Sequence, residues 1–161
     1  MFNFLKKTKN QEICVVFLIY VILLSIGFFV YKDYGISVDE WELRILGFSN
    51  LKYIAEIFFQ NSVVGIDKII SVPDLGDYLG QHGAIFALPT AFFEYIFNIE
   101  DSEKYYLLRH YLNHLIFLAS TFYFFLLVKT RFDNWIFGLF AAGFLFFSPR
   151  IFAESFYNHK D

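Results

Sequence analysis

Nineteen consecutive residues, Ile13 to Tyr31, carry no charged side chain. As a helix, a run of this length spans about 29 Å, close to the hydrocarbon thickness of a bilayer. A helix also satisfies every backbone N–H and C=O within the segment, which lipid demands. Lys6, Lys7 and Lys9 precede the run, an order shared with secretory signal peptides. The run is long for a signal core, and it ends in Gly27-Phe28-Phe29-Val30-Tyr31-Lys32 instead of a small-x-small cleavage site. It reads as an uncleaved first span, 13–31.

Two further runs follow the same logic. Tyr111 to Val128 has no full charge and is closed by Lys129 and Arg131. Asn134 to Ser148 is shorter and is stopped by Pro149, which cannot continue a helix interior. With a start near Phe132, the third span is 132–148. The expected fold is all-α: a polytopic helical membrane protein with about three transmembrane helices and a long loop, 32–108. A content of 57% hydrophobic and 23% aromatic residues exceeds what a soluble domain of 161 residues needs. The net charge of −3 gives no bulk attraction to nucleic acid. Cys14 is the single cysteine, so no intramolecular disulfide forms.

Basic residues set the orientation. Lys6, Lys7, Lys9, Lys129 and Arg131 flank the spans on the side of the N-terminus and the short second loop, whereas the long loop holds more acids than bases. The positive-inside rule places the N-terminus in the cytoplasm and the long loop outside, as in a multi-pass protein of the plasma (inner) membrane. Arg109 and Arg150, at outer span ends, run against the rule. Within the loop, Val38 to Phe59 is expected to form an amphipathic helix. Leu43, Leu46, Leu51, Ile54 and Phe58 form its stripe, and Arg44, Lys52 and Glu56 face elsewhere. Residues 65–83 read as a structured loop. Ala84 to Ile99, interrupted by Pro89 and Glu94, suits an interfacial or re-entrant helix and is short for a span.

Several polar residues in the outer segments could carry chemistry. Ser37-Val38-Asp39-Glu40 matches a capping box, with Ser37 as N-cap and Glu40 reaching back. That arrangement leaves Asp39 to point into a cleft. Asp161 lies beyond the third span, on the same face as Asp39. Two such carboxylates can act as general base and partner, or hold a divalent cation. Arg109, Arg150 and Lys160 suit a lipid-linked phosphate, since guanidinium forks match phosphate oxygens; singly, each is a snorkelling side chain. His110, Asn113 and His114 share one helix face. That spacing can bind zinc, but hydrogen bonds to neighbouring helices are the preferred reading. His82 and His159 are sugar or phosphate contacts of weaker standing.

One span, an acidic pair opening an amphipathic helix, two close spans and a second acidic outer loop form a recognisable order. It resembles the type-C glycosyltransferases, in particular the protein O-mannosyltransferase and lipid A aminoarabinose transferase relatives (family 39-like). Gly35-Ile-Ser-Val-Asp-Glu40 resembles their first-loop Asp-Glu motif. Tyr78-Leu-Gly-Gln-His-Gly83 with Ala84-Ile-Phe-Ala-Leu88 is similar to their His-Pro-Pro-Leu or Tyr-Gly-Pro-Leu stretch without its first proline. Ser148-Pro-Arg-Ile-Phe152 and Asn158-His-Lys-Asp161 are similar to their second-loop segment. The resemblance covers the front part of such an enzyme, so the chain is expected to be an N-terminal fragment, inactive alone. It implies inverting sugar transfer from a polyprenyl-phosphate sugar to a protein, lipid or glycan acceptor at the outer membrane face. Asp39 would be the catalytic base or the carboxylate that orients the acceptor, Glu40 its support, and Asp161 would complete the site or, with Asp39, bind a cation. Arg109, Arg150, His82 and Lys160 would contact the donor; the only cofactor in view is a divalent metal. The competing expectation is a non-enzymatic multi-pass protein, a transporter fragment or an assembly factor. A transporter places polar residues mid-span, where these spans offer little beyond Ser25, Ser120 and Thr121.

Overall fold

The structure, a computed structural model, describes the backbone of residues 2–59, 73 and 84–157, with side chains from Gln11 onward apart from Phe59. His82, His159, Lys160 and Asp161 lie outside the described residues. Those described form helices α1 (Phe2–Val30), α2 (Val38–Phe59), α3 (Ala87–Ile96), α4 (Ser102–Phe132), α5 (Trp135–Phe146) and α6 (Pro149–Tyr157), without strands among them.

Two helices, α1 from Gln11 to Val30 and α4, are long and apolar enough to cross a membrane. A third qualifies if α5 and α6, which meet at a 68° bend, are counted as one broken span. The expected third span, 132–148, is thus corrected at its start. Asp133 adopts a left-handed conformation (φ 50°), and Asn134 caps α5 by accepting from the Ile136 N–H at 2.9 Å. Helix α5 therefore begins at Trp135. Its 12 residues rise only about 18 Å. Pro149 then opens α6 in a new direction, at the helix start where a missing N–H costs nothing.

Helices α1, α4 and α5 pack along their lengths. Val16 meets Phe125 and Ala142 in one buried cluster, and Leu23 meets Leu118 and Phe146 in the next. As α1 ascends from 16 to 23, α4 descends from 125 to 118 and α5 ascends from 142 to 146. Helix α1 is thus antiparallel to α4 and parallel to α5. Glu12 and Lys129 form an ion pair at one end of this bundle. At the other end, Gly27 brings α1 against the His114 ring of α4 so closely that a Cβ there would collide with it. Phe125 presses on Gly138 in the same manner.

The remaining helices gather at the Gly27–His114 end. Helix α2 forms where expected, but its stripe is corrected. Leu43 and Leu46 are buried, Leu51 and Ile54 are half-buried, and Phe58 is exposed. The buried face is instead Glu40, Leu43, Arg44, Gly47 and Phe48, at helical spacing. Gly47 lets α2 approach the α3 backbone, since a Cβ there would overlap the Ala87 carbonyl. Phe48 and Ala91 form the apolar contact. Helix α3 has 10 residues, rising about 15 Å, too short to cross. Helix α4 is much longer than the expected span 111–128. Asp101 caps it by accepting from the Glu103 N–H at 3.1 Å, so it starts nine residues before Tyr111.

Candidate functional site

The extra turns of α4 organise the polar residues. Tyr105, Tyr106, Arg109, His110, Asn113 and His114 are all buried, on the side of α4 that the other helices cover. His110 Nε2 lies 2.9 Å from Glu40 Oε1 and joins α4 to the first turn of α2. Asn113 Nδ2 donates to the Phe156 carbonyl at 3.1 Å, and His114 Nδ1 lies 3.1 Å from Ser155 Oγ, joining α4 to α6. The Ser155 hydroxyl proton is directed to the Phe152 carbonyl at 2.7 Å, so His114 Nδ1 is the donor. Its Nε2, set against Gly27, then carries the lone pair. These are the interhelical hydrogen bonds preferred over zinc for this face.

A second layer lies between α2 and α3. Arg44 Nε donates to Glu94 Oε1 at 2.9 Å, and an Nη makes a closer ion pair with the same oxygen. The Arg44 guanidinium stacks on Tyr105, with its carbon 3.7 Å from the ring centroid. Both partners are almost fully buried. Sequence reasoning missed this pair, having turned Arg44 outward and read Glu94 only as an interruption. A lone carboxylate in the middle of the apolar α3 was the available signal, because burying one demands a partner.

Of the expected site residues, Glu40 and Arg109 come together here. Glu40 does not reach back to cap α2. Its amide donates to the Ser37 carbonyl, while one carboxylate oxygen faces His110 and the other has no partner among the described residues. This corrects the capping-box expectation. The interhelical bond wins because Glu40 is 1% exposed and buried beside His110, where a cap would need it at the surface. Arg109 is 2% exposed and close enough to Glu94 and Glu40 for their charges to act on it. Neither of its terminal nitrogens has a hydrogen-bond partner among the described residues. Asp39, the next residue round α2, is exposed. Arg150 is also exposed and reaches Glu154 Oε1 at 2.9 Å on its own helix. No group of three or more His, Cys, Asp or Glu side chains placed for a metal occurs among the described residues.

An aromatic stack links the turn before α2 to α6 and α4. Tyr34, in the turn before α2, stacks on Phe156 of α6 with centroids 4.5 Å apart and planes at 15°. Phe156 stacks in turn on His114, at 4.5 Å and 2°. The chain five residues before Asp39 thus touches the chain five residues before Asp161. Comparison with protein-family models, with curated proteins and with solved structures finds no match to this chain.

Proposed function

We propose that this chain is part of a polytopic membrane glycosyltransferase that moves a sugar from a polyprenyl-phosphate donor to a hydroxyl acceptor at the outer membrane face. The observation that carries this reading is the Tyr34–Phe156–His114 stack. It ties the segment leading into Asp39 to the helix leading towards Asp161, at the end of the bundle opposite Lys129 and Arg131. Two carboxylates on one face of the bilayer suit proton removal from an acceptor beside a lipid-borne donor. Helix α4, 31 residues long, rises about 46 Å, more than the hydrocarbon needs. Its first turns then stand at headgroup level, where an α2–α3 pair docked through Glu40–His110 holds Asp39 at the membrane surface.

In this reaction Asp39 takes the acceptor proton, and Arg109 and Arg150 serve the donor phosphate. Asp161 completes the carboxylate pair, or with Asp39 holds a divalent cation. Lys160 and His82 are further donor contacts. In the intact protein as its gene encodes it, Asp39→Asn is expected to lower transfer from a radiolabelled polyprenyl-phosphate sugar at least 100-fold, with expression and melting temperature unchanged, general-base loss being worth about 10²–10⁴ in rate. Turnover at the wild-type level would remove Asp39 from the reaction.

A second reading draws on a different observation. Two buried pairs join the helices, Arg44 with Glu94 and Glu40 with His110. Such a cluster also serves a non-enzymatic multi-pass protein as a specificity device for helix docking. That reading predicts no consumption of any lipid-linked sugar by the wild-type intact protein.

A further inference from the structure

The buried layer between α2, α3 and α4 holds more hydrogen-bonding capacity than its own residues use. Arg109 presents four terminal N–H groups without an acceptor among the described residues. On the acceptor side, and again among the described residues, Glu40 Oε2 and Glu94 Oε2 have no donor and His110 Nδ1 has no partner. These atoms belong to three helices held together by Glu40–His110 and Arg44–Glu94. Arg109 is close enough to both carboxylates for their charges to act on it, yet bonds to neither. Desolvated groups of this kind are costly unless something bridges them.

The chemistry of the layer selects the bridge. Two carboxylates, Glu40 and Glu94, stand against two guanidiniums, Arg44 and Arg109, so these four side chains balance in formal charge. An added anion would face Glu40 and Glu94 at close range. A cation would face Arg44 and Arg109. A small neutral O–H species, donating to the carboxylate oxygens and accepting from the guanidinium, meets both requirements, and buried water does this with about three hydrogen bonds per molecule.

We infer that Arg109, Glu40, Glu94 and His110 form an internal hydration site, in which ordered water joins the Arg109 guanidinium to the Glu40 and Glu94 carboxylates. This site stands on these buried polar atoms and does not require the proposed transfer reaction, although it shares Glu40 and Arg109 with it.

The test is water-edited solid-state NMR on the intact protein in lipid bilayers, with the Arg109 signals assigned by difference from Arg109→Lys. Magnetisation from water is expected to reach the Arg109 Nη atoms as fast as those of exposed Arg150. Build-up delayed to the rate of a dry interior group would overturn the inference. A second readout uses Arg109→Met, nearly isosteric and apolar. Hydrated carboxylates lose their bridge, so the melting temperature is expected to fall by about 3–8 °C. A dry layer, relieved of an unsatisfied guanidinium, would melt at the same temperature or higher. Millimolar inorganic phosphate is expected to leave both readouts unchanged. A phosphate-induced shift of the Arg109 signals, absent in Arg109→Met, would show an anion site and refute the neutral one.

Discussion

Gly27 shows how one residue sets a contact that no periodicity announces. Within an apolar span a glycine reads as a neutral filler. In the fold it is where α1 touches the His114 ring, and the ring is held there by Ser155 on one side and stacked Phe156 on the other. Gly27→Ala is therefore expected to destabilise the protein by about 1–3 kcal/mol, the usual cost of overpacking. Chemical unfolding in detergent measures this, and adding His114→Ala should recover part of the loss because the colliding ring is gone. A Gly27→Ala protein as stable as the wild type would mean that α1 does not approach α4 there. The face His110, Asn113, His114 was legible as polar and helical. What remained hidden was that Glu40 and Ser155 would be the partners, because neither residue carries any mark of the helix it will meet.

Among the elements, α2 and α3 depart furthest from expectation, and the reason is electrostatic. A hydrophobic stripe was read from Leu43 to Phe58, and it holds for the first two turns only. The face that is buried includes Glu40 and Arg44, which any amphipathic analysis assigns to solvent. They go inside because α3 and α4 supply Glu94 and His110 at hydrogen-bonding distance. Removing one partner of such a pair strands the other, so Arg44→Met or Glu94→Met alone is expected to cost about 3–5 kcal/mol, whereas the two together should lie close to the wild type. A double-mutant cycle by thermal unfolding measures the coupling. Purely additive losses would place the two side chains apart. Helix α5 is the second departure. Its apolar run looks like one span, but Pro149 turns the chain by 68° and α6 docks on α4 through Asn113 and His114.

At the scale of the whole molecule, the antiparallel α1–α4 pair separates two ends. One carries Glu12, Lys129 and the α4–α5 turn; the other carries α2, α3, α6 and the first turns of α4. If α1 and α4 cross a bilayer, single cysteines at Gly35 and Arg150, in a Cys14→Ser background, are expected to react with an impermeant maleimide from outside intact cells, while one at Asp133 reacts only after permeabilisation. Labelling of positions 35 and 150 from opposite sides would contradict the shared end. The apolar runs alone determined that this chain is helical and that the runs 13–31 and 111–128 belong to helices long enough to span, because the hydrophobic period and the absence of charge are local properties. Only the tertiary structure decided which polar residues are buried. Burial of Glu40, Arg44 and Glu94 depends on partners 50 or more residues away along the chain, brought near by packing at Gly27, Gly47 and Phe156.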